Sequence, residues 1–356
     1  MIRRLLIIPI ILAVLVGGWS GLVRIGWEWP VLHESWVQNH GLLLVPGFLG
    51  TVIGLERAAT FGKKMAFVGP ILSATAVLSL VLGISLSITS IMMIGAAIIM
   101  TGVNLIGPLG RDRLNNHALV VIAGSLMWLA GNLFWALNFS DHVVTLFWVG
   151  FLSLTICGER LELSRFSRPG PQAQALFRLF AVLPPLGAFL SVAGNEFGPR
   201  VVGAGLILLA GWLIRYDVGR RLRDKVGLSR YMALTLTSAY AWMMVSGLSW
   251  LYHGPLIQGP IYDGTVHSFF IGFVLVMIFA HAPMIIPAIV STKAVFHRML
   301  YLPMMSMHIS LGIRFIGDLL GQSSLQQWGS LLNAAAVLLF ITMLAGLARG
   351  LTFKSQ

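Results

Sequence analysis

The chain has 356 residues, of which 57% are hydrophobic and only 10% charged, and its mean hydropathy is +0.86. A water-soluble fold of this size has no interior large enough for so much apolar surface, so the solvent for most of it is lipid. The net charge of +12 reads as sidedness across a membrane rather than as a nucleic-acid footprint, and the single cysteine, Cys157, excludes an intramolecular disulfide and a CxxC redox pair.

Apolar runs of about 20 residues, the length that crosses roughly 30 Å of hydrocarbon, recur along the whole chain. They read as about twelve spans, at 4–23, 41–58, 65–86, 88–109, 115–138, 142–162, 175–195, 198–218, 231–252, 265–290, 299–321 and 327–349. The first begins like a signal peptide, with Arg3 and Arg4 before an apolar stretch. No small-residue cleavage site follows, so it is expected to stay as the first span. If the chain starts on the cytoplasmic side, 21 of the 24 basic residues fall in cytoplasmic loops and termini; Arg24 and Arg200 face outward and Arg314 lies within a span. The positive-inside rule therefore gives an integral membrane protein with an even number of spans and both termini cytoplasmic. Its principal partner is the lipid bilayer, with no role for nucleic acid.

Taken in order, the spans repeat. The second reads GFLGTVIGLER from Gly47, the sixth GFLSLTICGER from Gly150, and the tenth GFVLVMIFAHA from Gly272. The separations are 103 and 122 residues, a period of four helices. The preceding spans agree: Trp19 and Trp27, Trp128 and Trp135, and Trp242 and Trp250 form pairs seven or eight residues apart. Aromatic belts alone place Trp at membrane interfaces, but the joint order argues for three four-helix repeats, at about 1–110, 114–226 and 230–356, within one transmembrane domain spanning 1–356. A histidine stands at the start of each inner helix: His40, His142 and His267. Imidazoles at one depth are what axial ligation of a metal or haem needs, because two nitrogens approach one iron from opposite sides.

These residues resemble a known family. HGLLLVPGF from His40 is similar to the start of the second helix in the catalytic subunit of haem-copper oxygen and nitric oxide reductases, and HSFFIGFVLVMIFAHAPMIIP from His267 resembles their tenth. The resemblance, closest to the NnrS-like membrane proteins in size and in sparse histidines, implies an all-α, subunit I-like fold of three pseudo-symmetric four-helix sets in a bacterial inner membrane. It implies a b-type haem on His40 and His267, with Arg314 at the propionates. It also implies possible oxidoreductase activity in nitric oxide metabolism, with a quinol or cytochrome as electron donor. Helix 7 carries no histidine, and Thr265 stands where the family has a second histidine on helix 10, so the conventional binuclear centre is not expected.

An ionisable residue within a span is costly and points to function. His281 follows His267 by 14 residues, close to four α-helical turns, so the two are expected on nearly one face about 21 Å apart. His308 on the eleventh span is expected at a similar depth to His281, and Glu56 and Glu159 are the repeat counterparts of His281. These two imidazoles and two carboxylates form a candidate site for a second metal ion, copper or iron; the competing reading makes the glutamates helix-end charges reaching for water. Arg314 and Asp318, four apart, are expected to pair. Two functions stay open on the residues: a haem-bearing redox protein, or a transporter or metal-handling factor using the same polar core.

Overall fold

The computed structural model describes residues 5–107, 116–289 and 296–348. Arg3, Arg4, Arg111, Arg113, Lys293, Arg349 and Lys354, all assigned above to the cytoplasmic side, lie outside the described residues. Among the described residues there is helix and no strand, and eleven helices are long and apolar enough to cross a membrane. They are α1 (Ile7–Arg24), α2 (His40–Phe61), α3 (Lys64–Val81), α4 (Leu86–Ile106), α5 (Asn116–Ala136), α6 (Asp141–Ser167), α7 (Pro171–Val192), α8 (Gly198–Tyr216), α10 (Pro260–Ile285), α11 (Arg298–Leu320) and α12 (Ser323–Leu347). The expected ninth span is also a helix, α9 (Leu228–His253), of 26 residues. Its length of about 39 Å is ample, but Arg230, Thr235, Thr237, Ser238 and Ser246 make it the least apolar of the twelve long helices, and it is not among the eleven.

The outward faces fit the same reading. On α7, Leu176, Leu179, Val182 and Leu186 form a stripe at helical spacing, and each is about half exposed. A contiguous apolar face turned outward suits lipid and not water.

Contacts divide the chain into two compact units, Met1–Glu159 with Pro184–Gly198, and Arg160–Leu183 with Pro199–Gln356. The division runs through α6 and α7. In the first unit, polar side chains tie neighbouring helices: Ser73 Oγ donates to the Pro46 carbonyl (2.7 Å), Asn132 Nδ2 to the Met93 carbonyl (3.0 Å), and Trp148 Nε1 to Asn132 Oδ1 (3.3 Å). In the second, Tyr231 donates to the Phe279 carbonyl (3.2 Å), and Phe279 stacks on Phe340 with ring centres 3.8 Å apart. Backbones there approach closely at small residues. A Cβ on Gly203 would lie 2.5 Å from the Gly247 carbonyl, and one on Gly329 would lie 2.5 Å from the Arg314 nitrogen.

Among the described residues two helices contain π-helical segments, Leu43–Leu49 in α2 and Ser268–Leu275 in α10. In α2 the cause is Pro46, which has no N–H to offer the Leu42 carbonyl; π pairing hands that carbonyl to the N–H five residues on. In α10, Gly272 takes the indole of Trp242 against its backbone, where a Cβ would lie 2.5 Å from the ring. Because this segment lies between His267 and His281, the spacing argument for a shared α-helical face does not carry across it. A π-turn holds an extra residue and so rotates the remainder of the helix.

Candidate functional site

At the N-terminal end of α10, Asp263 stands in the first turn and His267 one turn later, and Arg314 reaches them from α11. Arg314 makes a bidentate fork: Nε donates to Asp263 Oδ2 (2.8 Å) and Nη2 to Oδ1 (2.9 Å). Nη2 also lies 3.3 Å from His267 Nε2. The other ring nitrogen, Nδ1, is 2.8 Å from the Asp263 carbonyl oxygen and so carries the proton in the neutral ring, which leaves the lone pair on Nε2 facing the guanidinium. One turn beyond Arg314, Asp318 is 2% exposed, with both carboxyl oxygens buried and no hydrogen-bond partner.

The same three residue types assemble at the C-terminal end of α10. Arg160 from α6 donates through Nε to Asp217 Oδ2 (2.7 Å) and through Nη2 to Oδ1 (2.7 Å), and its Nη1 lies 3.3 Å from His281 Nε2. His281 Nδ1 is 2.7 Å from the Met277 carbonyl, the residue four before it, just as His267 bonds back to Asp263. Asp217 sits where the chain leaves α8 and turns, and it accepts a further bond from the Gly219 N–H (2.6 Å). The Arg160 and Asp217 side chains are 5% and 2% exposed.

Elsewhere in the second unit, His308 Nδ1 accepts from Trp242 Nε1 (3.1 Å), which puts the proton of the neutral ring on Nε2. That nitrogen is buried with no hydrogen-bond partner. In the first unit, Arg57 lies between Glu56 (3.6 Å) and Glu159, with which it makes a direct hydrogen bond. Both carboxylates are nearly half exposed, so this is an ion-pair chain at the helix ends. Arg57 also lines a void of about 10 Å³, room for a single water, with Gly50, Gly54, Pro70 and Trp128. His40 opens α2 next to Gly21 of α1, where a Cβ would meet its ring at 3.7 Å.

Of the residues singled out from the sequence, the structure brings together His267 with Arg314, and Glu56 with Glu159 through Arg57. His40 and the two glutamates belong to the first unit, and His267, His281, His308 and Arg314 to the second. His281 and His308 each have a separate partner. Among the described residues no three His, Cys, Asp or Glu side chains converge as a metal site. The Arg314–Asp318 pair expected from spacing is not made. Asp263, facing the guanidinium from α10, accepts both bonds of its fork, which one side chain alongside on the same helix does not displace. Sequence reasoning misses these roles for Asp263, Asp217 and Trp242. The available signals are a carboxylate four residues before His267, and an aspartate placed directly after an apolar run in what reads as a solvated loop.

A b-type haem needs an imidazole nitrogen open to iron. His267 has the fitting tautomer, with Nδ1 anchored and the lone pair on Nε2. Arg314 occupies the approach to that nitrogen and would have to turn aside.

A family model described as a domain of unknown function, DUF8744, matches residues 3–349, and the chain belongs to that family. No curated protein and no solved structure matches it.

Proposed function

We propose that this member of the DUF8744 family is a membrane carrier in which α10 is the moving element and the two Arg–Asp–His clusters are its gates. The observation that carries the reading is one lock built twice, at both ends of one helix. Thirteen residues separate His267 from His281, all apolar or glycine except Ser268. A buried ion pair contributes little net stability, and its best-attested use is to set a register or a switch. Two such pairs closing on one helix are better explained as alternating contacts than as two independent supports. The π-helical segment between them, with its weaker hydrogen-bond geometry, is where such a helix bends. Repetition supports the reading further, since carriers are commonly built from internal repeats. Gly47 and Gly272, aligned by the repeat, both fall within π-helical segments. With positively charged loops inside, the Arg314 cluster is the outer gate and the Arg160 cluster the inner one.

The test is sided labelling. In a Cys157→Ala background, cysteines at Thr265 and Ala282, both buried, report access from either end in sealed vesicles. Asp263→Asn is expected to admit an impermeant maleimide to position 265 from outside, and Asp217→Asn to admit it to position 282 from inside. Equal labelling from one side in both variants would sink the carrier.

A second reading, the haem-bearing redox protein, is favoured by the anchored Nδ1 of His267. His267 would be an axial ligand and Arg314, released from Nε2, would meet a propionate; the haem would supply one-electron chemistry. His40, the other expected ligand, belongs to the first unit. Here the purified protein shows a reduced-minus-oxidised band of a six-coordinate b-type haem, lost in His267→Ala. A colourless preparation from haem-replete cells ends this reading.

A further inference from the structure

We propose that Asp318 and Asp263 share one exchangeable proton, which makes the N-terminal end of α10 a proton-binding site in its own right. The inference starts from a count of charges. Arg314 contributes +1 and Asp263 and Asp318 each −1, so the guanidinium and the two ionised carboxylates together carry a surplus of −1. The partners of the cluster close on Asp263 rather than on Asp318: His267 Nδ1 lies 3.2 Å from Asp263 Oδ1, and neither Asp318 oxygen has a hydrogen-bond partner. Arg314 spends Nε and Nη2 on Asp263 and leans Nη2 toward His267, and the N–H of His267 goes to the Asp263 carbonyl. Asp318 stands against the backbone of Gly264, the residue after Asp263, and both of its carboxyl oxygens are buried with no hydrogen-bond partner. An ionised carboxylate sealed in this way, beside a second one, is among the most costly arrangements a membrane protein can hold. A single proton between the two removes the surplus and supplies the missing bond, as an O–H donated from one carboxyl to the other.

Two features fit a proton better than a metal ion. The cluster offers two carboxylates and an amide, too few oxygens for a hard cation that takes six or more, and no metal-binding group is found among the described residues. Gly264 makes room for the close approach: a Cβ there would lie 2.9 Å from Asp318 Oδ2 and 3.2 Å from its Cβ. Exchange with water has a route, because the Asp263 side chain is 23% exposed at the start of the helix while Asp318 is sealed behind it. The groups facing the proton are therefore Asp263 and His267 from α10, Arg314 from α11 and Gln326 from α12.

Infrared difference spectroscopy on the purified full-length protein tests this without knowledge of any substrate. The wild type at neutral pH is expected to show the C=O stretch of a protonated carboxylic acid that shifts in D2O, is lost in Asp318→Asn and is unaffected by sodium. Gly264→Ala, which presses on Oδ2, is expected to move the band, and it decides the matter if Asp318→Asn does not fold. Absence of the band in the wild type, its persistence in Asp318→Asn, an unmoved band in Gly264→Ala, or its removal by sodium each overturns the proposal. The carrier reading is independent of this result, since the labelling pattern can fail while the band is present and the reverse.

Discussion

The clusters at the two ends of α10 use the same three residue types in the same hydrogen-bond pattern, yet they are not equally complete. Around Arg160 the charges balance: one guanidinium, one carboxylate, and a backbone N–H from Gly219 that gives Asp217 a third donor. Around Arg314 there are two carboxyl groups to one guanidinium, and only Asp263 is bonded to it. The first arrangement is a closed pair, sealed almost completely from solvent; the second is partly open through Asp263 and has an acceptor left over. The contrast teaches that a repeated motif can differ in how fully its charges are matched. What separates the two clusters is a single additional carboxyl group and a glycine that admits it.

Breaking the balanced cluster should have the largest effect. Arg160→Met leaves Asp217 buried without its cation and is expected to destabilise the detergent-purified protein by about 3–5 kcal/mol, read by thermal melting. Adding Asp217→Leu should return most of the loss, because two apolar groups replace the pair together. If the double variant melts as low as the single, the balanced cluster has a role beyond charge pairing.

Asp263→Asn is expected to be milder, at about 1–3 kcal/mol, since Arg314 can turn to Asp318 four residues away on its own helix. That rescue is measurable. In a double-mutant cycle Asp263→Asn with Asp318→Asn should lose more than the sum of the singles, whereas strict additivity would show that Asp318 is no reserve partner. The smallest effect is expected from the imidazoles. His281→Phe and His267→Phe each remove one hydrogen bond to a guanidinium that keeps its carboxylate, a loss of roughly 1 kcal/mol. A much larger loss at His281 than at His267 would sharpen the distinction between the closed and the open cluster.

Much of the fold is legible in the amino-acid sequence, because lipid solvation leaves a signal in every long apolar run. Even so, α9 shows the limit: its serines and threonines bond back to their own helix, as Thr235 does to Tyr231 and Thr237 to Ala233, so a polar composition is compatible with a spanning length. The site is legible in part. His267, His281, His308 and Arg314 stand out because ionisable residues are rare within spans. Their partners do not stand out, because pairing across helices depends on tertiary contact that local spacing does not encode. Spacing pairs Arg314 with the carboxylate nearest in sequence, but the structure pairs it with Asp263, 51 residues away. Arg160 reads as one more cytoplasmic charge, although it is nearly fully buried.

The π-helical segment of α10 has a consequence for phase. Each residue of an α-helix turns the chain by about 100°, so a helix that accommodates an extra residue within one turn resets the azimuth of everything after it. Winding the segment as plain α-helix at unchanged length would swing His281 away from Arg160 while leaving His267 in place, whereas trimming one residue between Ser268 and Leu275 at the same time would bring His281 back to nearly its present azimuth. The carbonyls and amides of that short stretch thus act as a dial, coordinating the direction in which one end of the helix faces with that of the other.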